Sequence, residues 1–194
     1  ARHSLQGAFT WELPAPMGKS IATRLLRNWT LSGIGRVRTA FPIDLVSREN
    51  GFGLGFDNAA RPDLISGQPI WLLDPSAPNG RRLNPDAFRL RNDGRQGSLG
   101  RNAIRGFGLV QVDAAIERQL QIAGASLGVR FEVHNVANRP SFGDPVRFLS
   151  HPLFGESTSL LNMMLGRGRP NAGLAPALQS GGPRMAQIGL HFRF

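Results

Sequence analysis

The sequence predicts an all-β fold, an antiparallel meander of about five strands joined by short turns and two long loops. Three observations predict it. Residues 187–194 alternate strictly between apolar and polar or small side chains and stop on Phe194. Connections between the alternating segments are short and long by turns. No apolar run approaches the ~20 residues that a membrane helix needs, although hydrophobic residues make up 41% of the chain.

The first segment, residues 4–13, sets Leu5, Gly7, Phe9, Trp11 and Leu13 on one face and Ser4, Gln6, Thr10 and Glu12 on the other. The second, 29–41, sets Trp29, Leu31, Val37 and Phe41 against Thr30, Ser32, Arg36 and Arg38, with Gly33 and Gly35 weakening the pattern. The third, 110–120, sets Val110, Val112, Ala114, Ile116 and Leu120 against Gln111, Asp113, Glu117 and Gln119. Arg118 is the exception on its apolar face. The fourth, 127–133, sets Leu127, Val129, Phe131 and Val133 against Arg130, Glu132 and His134. In the fifth, Ile188, Leu190, Phe192 and Phe194 oppose Gln187, Gly189, His191 and Arg193. A closing strand with an apolar outer face and a polar lumen face is the pattern of outer-membrane barrels and of their assembly signal.

Residues 14–28 and 121–124 make short connections, and Ile21, Leu25 and Leu26 in the first of these can form one helical turn. Two stretches of about 42–109 and 137–183, rich in Gly, Pro, Asn and Asp, make the long ones. This asymmetry matches the short periplasmic turns and long outer loops of membrane barrels, so both long loops are expected outside. Trp11 and Trp29 then form an aromatic girdle at the periplasmic interface, with Phe194 at the same level. Arg118, near the 121–124 turn, would snorkel to the headgroups.

Absence of Cys removes disulfides, Cys-based zinc sites and thiol nucleophiles. The net charge of +10 rests almost wholly on arginine, Lys19 being the lone lysine. Arg48, Arg61, Arg81, Arg82, Arg89, Arg91, Arg95, Arg101 and Arg105 interleave with Asp57, Asp63, Asp74, Asp86 and Asp93, a mixed-sign loop unlike a nucleic-acid stripe. The expectation is therefore no nucleic-acid partner. The start at Ala1 has no leader-like pattern, and the chain is expected to begin inside a larger protein.

Arg61 Pro62 Asp63 Leu64, Leu83 Asn84 Pro85 Asp86 Ala87 Phe88, Gly97 Ser98 Leu99 Gly100 Arg101 Asn102, Arg105 Gly106 and Val112 Asp113 follow one another in order. Downstream come Arg130 to Pro140, reading RFEVHNVANRP, then Phe142 Gly143 Asp144 Pro145 and Gly182 Pro183 Arg184 before the final strand. This series resembles the C-terminal barrel portion of TonB-dependent outer-membrane receptors of the Oar-like, carboxypeptidase-regulatory-domain type, and it covers nearly the whole chain. The resemblance implies energy-coupled uptake of a bulky nutrient through a plugged barrel of about 22 strands. It also implies partners: outer-membrane lipid and lipopolysaccharide, the rest of the barrel and its plug, and a TonB-type energy-transducing complex engaged through parts outside this segment.

No enzyme is expected, because no Gly-x-Ser-x-Gly elbow occurs and His3, His134, His151 and His191 lack metal-ligand spacing. No cofactor or metal is expected either. Calcium at residues 50–58 lacks EF-hand spacing, and an anion contact at Gly166 Arg167 Gly168 Arg169 Pro170 competes with an ordinary solvated loop tip. In the lumen, Asp113, Glu117 and Arg130 form a candidate charge cluster. Folding the hairpin about 121–124 sets Arg130 opposite Ala115 and diagonal to both acids. The rival architecture is a soluble β-sandwich binding or adhesin-like module, which would cover its apolar face with a second sheet.

Overall fold

A computed structural model describes residues 1–194 apart from 48–59, 92, 94, 123 and 167–179. The chain divides into two compact units. One holds the sheet: Ser4–Arg38, Val110–Pro140 and Pro183–Phe194. The other gathers Ala1–His3, Thr39–Leu109 and Ser141–Gly182.

Five alternating segments become β1 (Ser4–Glu12), β2 (Trp29–Arg38), β9 (Leu109–Ile122), β10 (Ala125–His134) and β11 (Met185–Arg193). They form one five-stranded sheet in the order β1-β2-β9-β10-β11, with β1 and β11 at its two edges. The sheet is open. The registers Leu5↔Val37, Phe131↔Ile116 and Phe131↔Ile188 keep the apolar sets of β1 and β2 together and those of β9, β10 and β11 together, and the Arg36–Asp113 bond between β2 and β9 puts their polar sets on one side. The apolar face is bare: Leu5, Phe9, Val112, Phe131 and Ile188 are exposed. Gln111, on the opposite face, is buried. At this part of β9 the polarity is inverted relative to a soluble sheet, as a lipid-facing barrel wall requires.

By register, Arg38 lies opposite Ser4 and His134 opposite Met185, so both long excursions leave and rejoin the sheet at one end. Trp11, Trp29 and the end of β11 lie at the other. Between β1 and β2 the expected helical turn forms as α1 (Ile21–Leu25), capped by the Ser20 hydroxyl, which accepts from the Thr23 N–H.

Two details depart from the sequence reading. β2 ends at Arg38, and Thr39 to Phe41 belong to the other unit. The β9–β10 turn is also tighter than 121–124, because Ile122 pairs with Ala125 and Gly124 takes a left-handed φ of 90°. The register consequently slides by two. Arg130 faces Glu117 directly, and Glu132 faces Ala115. A slide of two preserves the face of every side chain.

The described parts of the long stretches are folded, not merely connecting. Three two-stranded ladders pair β3 (Pro42–Ile43) with β8 (Ile104–Arg105), β4 (Asp63–Leu64) with β7 (Phe88–Arg89), and β5 (Trp71–Leu73) with β6 (Arg81–Leu83). α2 (Leu161–Gly166) follows in the second stretch. Ile43, Leu45, Leu83, Ala87, Phe88, Leu99, Ile104 and Phe154 pack into one buried core, with Leu83 at 0% exposure.

Candidate functional site

On the polar face two networks of charged side chains form. The Asp113 carboxylate accepts from the Asn135 backbone N–H at 2.8 Å, the Gln111 amide at 2.7 Å and the Arg36 guanidinium. His134 Nδ1 lies 3.8 Å away. Asn135 holds the chain where β10 ends: with φ 52° it accepts from the Arg139 N–H at 3.1 Å and donates to the Arg139 carbonyl at 3.0 Å. Short polar side chains tolerate this left-handed conformation because they satisfy local backbone groups.

Arg130 centres the second network. Its Nη1 donates to Glu117 at 3.2 Å and its Nε to Glu132 at 2.5 Å, while the Gln187 amide of β11 donates to the same Glu132. The predicted trio of Asp113, Glu117 and Arg130 is therefore split: Arg130 joins Glu117, and Asp113 turns to Arg36. The tight β9–β10 turn is the reason, since it carries Arg130 two residues along β9. Arg36, Glu132, Asn135 and Gln187 were missed by sequence reasoning. Glu132 was legible in principle, because an i, i+2 pair on one strand shares a face.

Ile188, Leu190, Phe192 and Phe194 line the apolar side of the last strand, with Phe194 at 102% exposure. β11 pairs only with β10 among the described residues. Trp11 is exposed at the same end of the sheet. Trp29, half-buried beside it, donates through Nε1 to the Leu25 carbonyl at 2.8 Å. Arg118 projects from the apolar face of β9, stacks 5.5 Å from the Trp29 ring centroid and donates to the Arg24 carbonyl at 2.8 Å.

Two of the ordered motifs, Arg61–Leu64 and Gly97–Leu99, meet in the second unit. Gly97 N–H donates to the Arg61 carbonyl, Leu99 N–H to the Pro62 carbonyl, Leu64 N–H to the Ser98 hydroxyl and Ser98 N–H to Asp63. Asn84 accepts from the Asp86 N–H and donates to the Pro69 carbonyl. These residues hold one another. The Ser98 N–H, with Arg91 and Arg89, holds the Asp63 carboxyl below its usual range, and the hydrogen bond from Arg91 lowers Asp93 to about 2. Among the described residues no group of three His, Asp or Glu side chains is placed to hold a metal. The calcium and anion candidates at 50–58 and 167–170 fall outside the described residues.

A sheet that bares one apolar face, carries a charged network on the other and, among the described residues, has β1 and β11 as unpaired edges is a piece of barrel wall built for lipid. The chain belongs to the outer membrane beta barrel domain family, whose model matches residues 1–167, and its place is the outer membrane. No curated protein and no solved structure is significantly similar to it.

Proposed function

We propose that this chain is the C-terminal barrel segment of a TonB-dependent receptor that takes up a bulky nutrient by energy-coupled transport. The observation that carries the reading is the ordered motif series from Arg61 to Arg184, which resembles that family; two of its motifs, Arg61–Leu64 and Gly97–Leu99, are hydrogen-bonded to each other. Two open edges support the larger barrel. Five strands cannot close, because natural single-chain barrels start at about eight. In this reading the Thr39–Leu109 and Ser141–Gly182 stretches face outside, and the Arg36–Asp113 and Glu117–Arg130–Glu132 networks line the lumen.

The test is site-directed crosslinking of the full-length receptor to the periplasmic domain of the energy-transducing partner in intact cells. A crosslinked species that rises with added nutrient is expected. If none forms, in a protein that still folds as a heat-modifiable barrel, the transporter reading fails while the outer-membrane barrel stands.

A further inference from the structure

We propose that the β1–β2 connection, residues 13–28, is a membrane-interface anchor that docks on anionic phospholipid headgroups at the border of the lipid-facing sheet. The inference rests on the lipid-facing orientation of the sheet and is independent of the transport reading. Four apolar side chains stand in the open there: Met17, Ile21, Leu25 and Leu26, with Met17 at 99% exposure. Three cations, Lys19, Arg24 and Arg27, share the segment, and it contains no Asp or Glu. Apolar side chains alternating with cations and free of acids suit an acyl–headgroup boundary carrying negative charge.

The segment is held in place. Ser20 caps α1, and Arg27 donates to the Gly18 carbonyl at 2.8 Å, closing the loop behind Met17. At the other end two side chains of the lipid-facing sheet grip the helix: Trp29 bonds the Leu25 carbonyl and Arg118 bonds the Arg24 carbonyl. Both side chains lie on the apolar face by the strand alternation. The exposed residues of α1 are therefore continuous with the surface that meets lipid. A five-residue helix has little stability of its own in water, since nucleation is costly and few bonds reward it. Burial of its apolar side in lipid supplies the missing term.

To test this, a polarity-sensitive fluorophore is attached through Met17→Cys in the full-length barrel and reconstituted into vesicles of phosphatidylcholine and phosphatidylglycerol. Brominated versions of each lipid then act as quenchers, and iodide probes water access. We expect shielding from iodide, quenching by lipid, and a preference for brominated phosphatidylglycerol of roughly five-fold over brominated phosphatidylcholine. Lys19→Gln with Arg24→Gln should bring that preference to about one while the label stays lipid-quenched. Iodide access without lipid quenching overturns the proposal. So does a label shielded from both quenchers, which would mean that protein covers the segment, and so does equal quenching by the two lipids before the cations are removed.

Discussion

At residue scale, Gly97 shows how a short sequence motif becomes geometry. A Cβ at this position would lie 2.2 Å from the Pro62 carbonyl carbon and oxygen and 2.5 Å from the Arg61 carbonyl oxygen. These are backbone atoms, which cannot swing aside. Gly97→Ala should therefore destabilise the Thr39–Leu109 unit by roughly 3 kcal/mol. The readout is tryptic cleavage at its arginines in intact cells, and unchanged protection would refute the close-approach argument. Asp93 provides a pH prediction. Its carboxyl is depressed to about 2 by Arg91, and Asp63 is lowered by the Ser98 N–H. A depressed acid stabilises the fold above its unfolded value of about 3.9 and loses that contribution as pH falls through the folded value. Both carboxyls should thus titrate below 3.9 by carbon-13 NMR, with the Asp93 midpoint near 2. A midpoint near 3.9 would show that the Arg91 contact is not populated.

At element scale the β9–β10 hairpin decides which charges meet. A two-residue turn gives the pair Arg130↔Glu117, whereas the longer turn expected from sequence gives Arg130↔Ala115. Double-mutant cycles separate them. Glu117→Gln with Arg130→Gln should show a coupling of about 0.5–1 kcal/mol, and Asp113→Asn with Arg130→Gln a coupling near zero. Equal couplings of Arg130 to the two acids would restore the longer turn. The last strand makes a second claim. Its outward ring at Phe194 is fully exposed, and among the described residues β11 has a strand neighbour on one side only, so deleting Phe194 from the full-length protein should lower the yield of heat-modifiable barrel with synthesis unchanged. Arg193→Gln, on the polar face, should matter much less. Equal effects would defeat the view that the alternating face carries the assembly signal.

At the scale of the whole molecule, the chain makes two units, a lipid-facing sheet and a second unit with its own core drawn from the two long excursions. Asn79, in a left-handed turn beside Gly80, marks that unit's surface. In cells carrying the full-length protein, an epitope inserted near Asn79 should be reachable from outside. A second tag, near Asn171, lies outside the described residues but is expected to behave alike. Protection of the Asn79 tag in intact cells, with label access only after the outer membrane is opened, would invert the topology.

Sequence alone determined the sheet, because a period of two records on every strand which side chains meet lipid, and that record survives any slide by an even number of residues. Phe9, Val112, Phe131 and Ile188 were legible for this reason, as was the helical turn at Ile21 to Leu25. Tertiary structure alone decided the pairings. Whether Arg130 faces Glu117 directly or sits opposite Ala115 and diagonal to both acids depends on one turn at Gly124, and the Asp113 partner, Arg36, lies 77 positions away. The second unit was illegible for a related reason. Its ladders are two or three residues long, too short for any periodicity, and its order comes from contacts such as Gly97 with Arg61 and Leu83 with Gly155, which close only when distant segments are brought together.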